Sequence, residues 1–305
     1  MRSESGFAAR LFVFLQGLVP QGILTRIAGA IARARLGPVT TLLVKGFSSH
    51  YRVDLGEAAC PDPGAYDSFN DFFTRRLRDG ARPIADGPLT LVSPCDGAVS
   101  EAGPLDGSRL LQAKGMHYRV ETLLCDDALA ERFRGGSFAT LYLAPSDYHR
   151  VHMPLDGTLE RMVYVPGRLF SVNPTTAALR DGLFARNERV VCSFRGPQGP
   201  FVMVLVGAMI VGGIRTVWAG RVTPRTAESW RMNADAPVTL RRGDEMGLFE
   251  LGSTVILLHP GGRIVWNPDL APGRRLRMGE GIGRILEARG PAPFDPDAPL
   301  SNAAS

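Results

Sequence analysis

Glycine and proline interrupt this chain so often that long helices cannot dominate its fold. Its 305 residues include 35 glycines and 23 prolines, well above ordinary usage. Both residues favour turns and end helices, so short strands joined by turns are expected rather than a helical bundle. A hydrophobic content of 45% with 21% charged residues excludes a disordered chain and a multi-span membrane protein. We predict an α+β fold, with N-terminal amphipathic helices followed by a β-rich, sandwich or barrel-like catalytic body.

Six segments have the composition of β-strands. They are rich in Val, Ile, Leu and Phe and are bounded by Gly, Pro or Asp. Before them, the residues Phe69–Leu77 predict a short helix with Ser68 as its N-cap. The predicted strands are Leu89–Ser100, Ser137–Leu143, Arg189–Phe194, Phe201–Ile210, Thr216–Val222 and Thr254–Leu258.

The positive charge of the chain is concentrated near its N terminus. The whole chain has a net charge of +5, and residues 1–50 alone hold six basic residues against Glu4. The remainder is therefore balanced, whereas a nucleic-acid-binding domain would carry its basic surface on the folded body. We expect no nucleic-acid partner, and an anionic surface as the partner of residues 1–50.

The same N-terminal segment contains two short apolar helices. Pro20, Arg26 and Arg33 keep each apolar run below the roughly 20 residues that cross a bilayer. The helices either lie in a membrane interface or cap the protein core, and we favour the interface. This predicts a peripheral protein on the cytoplasmic side of the cell membrane. The apolar residues at helical spacing are Leu11, Phe14, Leu15 and Leu18, then Ile23, Ile27 and Ile31.

The cysteines give no support for a disulfide framework or a metal site. Cys60, Cys95, Cys125 and Cys192 are widely spaced and form no C-x-x-C pair. We predict that they are reduced and that the protein binds no structural metal.

Two of the five histidines lie close together, between two prolines. His149 and His152 are three residues apart, and Pro145 and Pro154 exclude a regular helix around them. On an ideal strand this separation sends the two side chains to opposite faces. Either one histidine points into a site or the segment 146–154 is irregular, which is what we expect. A metal-dependent hydrolase that uses both histidines with Asp96 is one alternative.

Two further positions are candidates for chemistry. Asp96 ends an apolar strand and precedes Gly97, so it either forms an ordinary turn or orients a histidine. Ser253 follows Gly252 at the start of an apolar strand, and the glycine has no side chain to shield its carbonyl group. The alternative there is a turn with a strand-capping hydroxyl.

Several motifs occur in the order seen in one enzyme family. The sequence resembles phosphatidylserine decarboxylase proenzymes over roughly residues 40–285, although Cys95, Arg242 and Asp244 differ from residues common in that family. None of these three departures falls on a proposed catalytic position. The motifs are FNDFFTRRL at 69–77, SPCDG at 93–97, YHRVHMP at 148–154, FARNERV at 184–190, the strand from Gly207 and LGST at 251–254.

The resemblance implies a zymogen that makes its own cofactor. Ser253 Oγ would attack the Gly252 carbonyl, and the resulting ester would break down with loss of ammonia to leave a pyruvoyl group at residue 253. The products would be a β chain of residues 1–252 and an α chain of residues 253–305. By resemblance, Asp96 and His152 activate Ser253, and His149 serves the decarboxylation as a proton donor or substrate contact.

The resemblance also implies the second reaction. The amine of phosphatidylserine, held in an anionic membrane, would form a Schiff base with the pyruvoyl group, and loss of CO₂ would give phosphatidylethanolamine. We assign residues 1–50 to a membrane-associating segment, 51–290 to the catalytic domain and 291–305 to a disordered tail. The sequence leaves the oligomeric state open, with a homodimer as one option. A non-enzymatic membrane scaffold is the remaining alternative.

Overall fold

A large antiparallel β-sheet forms the centre of the protein. The computed structural model describes residues 6–196, 199–209, 213–223, 230–233, 237–250 and 252–286. The strands are β1 Thr90–Val92, β2 Gly97–Pro104, β3 Arg109–Ala113, β4 Met116–Arg119, β5 Ser137–Leu143, β6 Arg150–His152, β7 Gly157–Val165, β8 Arg189–Gly196, β9 Gly199–Val206, β10 Ile214–Thr216, β11 Gly220–Arg221, β12 Trp230–Asn233, β13 Thr239–Leu240, β14 Glu245–Phe249, β15 Ser253–His259, β16 Ile264–Trp266, β17 Arg275–Leu276 and β18 Gly281–Ile285.

The helices lie at the N terminus and in the connections between strands. Four of them precede the first strand, and each helix from α4 onward is only four or five residues long. The helices are α1 Phe7–Leu18, α2 Gln21–Arg33, α3 Pro38–Tyr51, α4 Phe69–Phe73, α5 Val120–Leu124, α6 Asp127–Glu131, α7 Pro174–Ala177 and α8 Leu183–Arg186.

Strand β15 lies inside the largest sheet. The order of that sheet is β12-β7-β8-β9-β15-β5-β2-β17, with β13 also paired to β7. All seven residues of β15 are buried, and the strand is hydrogen-bonded to β5 on one side and β9 on the other. An apolar run of this kind is stable as a strand only where both faces of the sheet are covered.

Two separate hydrophobic cores cover the two faces of this sheet. Val255 and Leu257 pack with residues of β6, β10, β14 and β18, which belong to a four-stranded and a three-stranded sheet. Ile256 and Leu258 face the opposite way and pack with residues of α5, α6, α7 and α8. The body is therefore a sandwich on one side and a helix-covered sheet on the other, and the predicted α+β fold is confirmed.

Helices α1 and α2 turn polar residues toward the body and apolar residues outward. Gln16 and Gln21 are buried, and their side-chain oxygens accept hydrogen bonds from the backbone N–H groups of Ser171 and Leu169, both at 2.9 Å. The apolar residues instead form an exposed face, which is the reverse of a helix that caps a core. Its members include Phe14, Leu18, Ile23, Ile27 and Ile31.

No single described helix is long and apolar enough to cross a membrane. Among the described helices, only α1 and α2 taken together are long and apolar enough, and they are bent by 88° relative to each other.

The predicted strands are found, with local differences. Pro94 lacks an N–H group, and the predicted strand Leu89–Ser100 divides around it into β1 and β2. The predicted strand Thr216–Val222 is instead a hairpin of β10 and β11, and Gly220 begins β11 with a φ of 64°. Ile210, at the end of another predicted strand, and the predicted tail 291–305 lie outside the described residues.

The helix predicted over residues 69–77 is shorter than expected. Ser68 caps it as predicted and accepts a hydrogen bond from the Asp71 N–H at 3.2 Å. The helix ends at Phe73 because Arg75 turns inward, where its guanidinium lies 5.3 Å from the Phe72 ring. Helix α3, which begins at Pro38, was not predicted from the sequence.

The position of β15 predicts a large difference between two identical substitutions. Val255→Ala removes buried methyl groups and should lower the free energy of unfolding by about 2 kcal/mol. Val265→Ala, at a residue of β16 with an exposed fraction of 53%, should change it by less than about 0.5 kcal/mol. Denaturant unfolding of both variants, in a Ser253→Ala background that removes the predicted cleavage, measures this difference. Equal losses in the two variants would contradict the central position of β15.

Candidate active site

Ser253 lies at the first position of β15 and lines a cavity of about 240 Å³. Phe47 and Tyr51 of α3 form part of the wall, together with Phe73 of α4 and Tyr142 of β5. Helix α3 follows the exposed apolar helices α1 and α2 in the chain, so one of the N-terminal helices supplies part of the cavity wall.

The bond between Gly252 and Ser253 has an unusual local geometry. Gly252 has a φ of 49°, in the left-handed region that favours glycine over other residues. Ser253 is fully buried and its hydroxyl group has no hydrogen-bond partner among the described residues. A buried hydroxyl without a partner is destabilising, and such groups often have a chemical role. The Ser253 hydroxyl group is thus unpaired among the described residues and directly follows the Gly252 carbonyl group in the chain.

His149 contacts one residue of the cavity wall, Phe73. Its ring stacks on Phe73, with 4.1 Å between the ring centroids, and it is fully buried. Neither ring nitrogen makes a well-formed hydrogen bond within the described structure, although the Ala144 and Pro145 carbonyl groups lie near the ring. Burial, with a smaller effect of the Arg75 charge, lowers the pKa of His149 to about 3. The ring is therefore neutral at physiological pH.

His152 is the last residue of β6 and has a fixed tautomer. Its Nδ1 donates to the Gly243 carbonyl at 2.8 Å, so Nε2 is the acceptor and faces the Tyr148 hydroxyl at 3.0 Å. Burial lowers the pKa of His152. Residues 150–152 form a strand, so the expectation that the whole segment 146–154 is irregular is wrong for these three residues. They pair with β14, which the motif alone does not reveal.

Asp96 binds an arginine rather than a histidine. The Arg82 guanidinium donates to both Asp96 carboxylate oxygens, with a shortest distance of 2.6 Å, and the Met278 N–H donates at 2.8 Å. Asp96 and Tyr148 line a second cavity of about 480 Å³. The carboxylate acts on the His152 ring only through space, where its charge favours protonation.

The structure thus brings the predicted residues together in two groups. Ser253 lines the apolar cavity and His149 stacks on Phe73 in its wall, whereas Asp96 shares the second cavity with Tyr148, the hydrogen-bond partner of His152. Within the described part of the chain, no hydrogen bond joins any two of Asp96, His152 and Ser253. The sequence motif YHRVHMP identified both histidines but could not separate the two groups.

A buried acidic residue that sequence reasoning missed lies just before the candidate bond. Glu250 is 2% exposed and forms ion pairs with Arg33 of α2 and with Arg215 and Arg221 of the β10–β11 hairpin. The sequence alone gives no sign of this cluster, because Arg33 is 217 residues away along the chain. The cluster ties a helix of the N-terminal segment to the backbone that leads into Gly252.

The comparisons with known proteins agree with this geometry. A family model described as phosphatidylserine decarboxylase matches residues 69–284, and a second model described as PSD matches residues 11–52. The chain belongs to the phosphatidylserine decarboxylase family. The resemblance inferred from the motifs is thereby confirmed, and the protein is a decarboxylase.

The curated relatives extend over nearly the whole chain. A phosphatidylserine decarboxylase proenzyme of Methylibium petroleiphilum is 55% identical over 90% of this chain and 97% of its own length. Proenzymes of the same name from a Polaromonas species and from Pseudomonas fluorescens are each 53% identical over 90% of this chain, and over 98% and 97% of their own lengths.

The alternative of a metal-dependent hydrolase finds no support. The rings of His149 and His152 have different neighbours, an aromatic ring in one case and a hydroxyl and a carbonyl group in the other. In the described part of the chain, no group of three or more His, Cys, Asp or Glu side chains is arranged as a metal site.

The buried neutral state of His149 predicts a pH dependence of stability. The ordinary histidine pKa is about 6.5 and the folded value is about 3, so unfolding takes up a proton between these values. The free energy of unfolding should be highest above pH 6.5 and fall as the pH decreases, by up to about 1.4 kcal/mol per pH unit for one histidine. His149→Asn should remove this contribution from urea unfolding measured between pH 4 and 8 in the Ser253→Ala background.

His259 provides an independent comparison for this measurement. Burial lowers its pKa to about 3 as well, so His259→Asn should flatten the same pH range by a similar amount. A parent and a His149→Asn variant with the same slope below pH 6.5 would show that His149 is not held neutral.

Proposed function

We propose that this chain is a proenzyme that cuts itself between Gly252 and Ser253 and then converts phosphatidylserine to phosphatidylethanolamine. The observation that carries the proposal is the buried Ser253 hydroxyl, which has no partner among the described residues, beside a left-handed Gly252 at a cavity walled in part by α3. The curated relatives bear the name phosphatidylserine decarboxylase proenzyme, which supports both the processing and the substrate.

The cleavage is a transfer of an acyl group followed by an elimination. Ser253 Oγ attacks the Gly252 carbonyl carbon, the C–N bond breaks, and the amide becomes an ester with a free amine on residue 253. Loss of the residue 253 α-proton then breaks the Cβ–Oγ bond and releases the Gly252 carboxylate. Hydrolysis of the resulting enamine replaces its nitrogen by oxygen and releases ammonia. The chain then ends at Gly252, and a new chain begins at residue 253.

We assign the activation of Ser253 to His152 with the charge of Asp96. The Gly243 carbonyl fixes Nδ1 as the donor, so the lone pair on Nε2 is free to accept a proton. The negative charge of Asp96 favours the protonated ring that this transfer produces. In the structure, the hydrogen-bond partner of His152 Nε2 is the Tyr148 hydroxyl. Nε2 must therefore exchange this partner for Ser253 Oγ before it can accept the Ser253 proton.

The surroundings of residue 253 fit the pyruvoyl group that this processing would produce. The Ser253 hydroxyl makes no hydrogen bond that its loss would break, and the adjoining cavity has room for a small ligand group. A pyruvoyl carbonyl captures a primary amine and accepts electrons as CO₂ leaves. Phe73 and Tyr142 exclude water from this region, and the neutral His149 ring behind Phe73 offers one N–H donor and one acceptor.

The N-terminal helices are proposed to hold the protein on an anionic membrane. Their exposed apolar face would enter the boundary between headgroups and acyl chains, and the basic residues of the segment would meet anionic lipids. Because α3 supplies Phe47 and Tyr51 to the cavity wall, a lipid headgroup at the surface lies near the route to Ser253. This supports a peripheral enzyme on the cytoplasmic leaflet.

The processing predicts two chains in place of one. Intact-mass measurement of the purified protein should find products of 252 and 53 residues, with the N terminus of the shorter one closed to Edman sequencing and reactive toward hydroxylamine. Ser253→Ala should give one uncut, inactive chain, because it removes the nucleophile. A single intact chain in active wild-type protein would disprove the proposal.

The two histidines provide the control for this experiment. His152→Gln should block the cleavage, whereas His149→Gln should be cut and lose at least about a hundredfold in kcat, the usual effect of removing an acid–base group. The opposite pattern would reverse the assigned roles while leaving the self-cleavage intact.

The membrane proposal predicts a loss of vesicle binding from one exposed residue. Ile27→Asp removes the burial of an isoleucine in the lipid, worth about 2 kcal/mol or roughly a thirtyfold increase in Kd. Sedimentation with vesicles of phosphatidylcholine and phosphatidylglycerol measures this change. Val265→Asp is the matched control, since both side chains are 53% exposed and β16 lies on the body. Similar weakening by both substitutions would argue against an interface formed by α2.

A further inference from the structure

Glu188 is a buried acidic residue that the mechanism above does not use. It lies in the motif FARNERV, immediately before β8, and is 9% exposed. The Tyr164 hydroxyl donates to its Oε2 at 2.9 Å, and the Thr223 hydroxyl also interacts with the carboxyl group. Both of these neighbours are uncharged.

The other deeply buried acidic residues have arginine partners. Asp96 pairs with Arg82, Asp147 pairs with Arg275, and Glu250 has the three arginines described above. Among the described side chains, none with a positive charge forms an ion pair with Glu188. A buried carboxylate without a cation is unfavourable in the free protein and becomes favourable when a cation enters.

The strand register places Glu188 on the same face of the sheet as Ser253. Thr254 is opposite Val206, and Val206 is opposite Arg189. If both strand pairings are continued by one residue, Gly207 lies opposite Ser253 of β15 on one side and opposite Glu188, the residue before β8, on the other. The Gly207 N–H donates a hydrogen bond to the Glu188 carbonyl oxygen at 2.8 Å. Glu188 and Ser253 are therefore both neighbours of Gly207 on one face of the sheet, with β9 between their strands.

Gly207 itself places no side chain between Ser253 and Glu188, and the Leu169 Cδ2 atom lies 3.6 Å from the point that a Cβ atom there would occupy. Oε1 of Glu188 lies 3.7 Å from the point that a Cβ atom at residue 207 would occupy. The carboxyl group thus extends over Gly207 toward β15, on the side where Ser253 begins the strand.

The chemistry of the proposed substrate requires a group of this kind. A primary amine on a lipid headgroup is a cation at neutral pH, and it must lose a proton before its nitrogen can attack a carbonyl carbon. The wall of the cavity around Ser253 includes the apolar residues Phe47, Phe73 and Val172. Apolar side chains cannot replace the hydration of a cation, whereas a carboxylate can.

We infer that Glu188 is a catalytic residue that binds the ammonium group of the substrate beside residue 253 and accepts its proton. An N–H bond of the ammonium breaks, the proton goes to a carboxylate oxygen of Glu188, and the freed lone pair is available for attack on the carbonyl carbon. This inference rests on the proposed function, since it needs an electrophile at residue 253.

The environment of Glu188 suits proton acceptance. Burial raises the pKa of its carboxyl group, against the opposing effect of the two hydroxyl donors. A higher pKa makes the carboxylate a stronger base. It also reduces the pKa difference between the Glu188 carboxyl group and the ammonium group that gives up the proton.

The test is the variant Glu188→Gln, made in the full chain and compared with the parent. Intact mass reports whether it is cut, and CO₂ release from phosphatidylserine in detergent micelles reports decarboxylation. Methoxyamine reports the electrophile alone, because this amine is uncharged at neutral pH and needs no proton acceptor. We expect normal cleavage, methoxyamine capture at the parent rate, and a loss of kcat/KM of at least about a hundredfold.

Two further variants sharpen the comparison. Glu101→Gln changes a half-buried glutamate whose pKa is also raised by burial, but on β2, and it should leave all three readouts unchanged. Glu188→Asp keeps the carboxylate and should recover part of the lost activity.

The outcomes separate this inference from the proposed function. A cut Glu188→Gln variant with full activity, or one that loses methoxyamine capture in the same proportion as decarboxylation, would overturn the role of Glu188. An uncut variant would also overturn it, by moving Glu188 to the processing step. A parent that is itself uncut and does not capture methoxyamine would overturn the proposed function first.

Discussion

The pairing of β15 on both of its edges is the constraint on which the rest of the structure depends. Hydrogen bonds to β5 and β9 fix the strand from its first residue, so the position of Ser253 is set by the sheet and not by a loop. Side chains at alternate positions of β15 then belong to two different cores. The Ser253 hydroxyl at the start of this strand is therefore fixed in position, and the preceding Gly252 turns the chain with a φ of 49°.

The reversed polarity of the N-terminal helices explains how a rigid site of this kind can meet a lipid. Gln16 and Gln21 satisfy backbone N–H groups of the body, which anchors α1 and α2 through polar contacts. The apolar side chains are left free for another apolar phase. α3 continues this arrangement inward, because its aromatic residues form part of the wall beside Ser253. The exposed apolar face and part of the cavity wall thus both come from helices α1 to α3.

Local chemistry determined which elements the sequence could predict. The apolar run after Gly252 predicted β15 to within one residue at each end, and Ser68 identified the start of α4. The end of α4 depends on Arg75 packing against Phe72, and the contact between Asp96 and Arg82 joins residues from different turns. Such contacts exist only after the chain has folded. The motifs named the site residues, and only the folded structure separated them into two groups.

The order of strands in the sheets gives the proposed cleavage an unusual mechanical outcome. Residues after 252 supply β15 to the interior of the largest sheet and β17 to its edge, while β16 and β18 assemble with β1 in another sheet. Each fragment would leave unpaired backbone groups and exposed apolar side chains if it departed. The two polypeptides would be interlocked subunits of one fold, so the mature enzyme would be a heterodimer that exists from the moment of its formation without any assembly step.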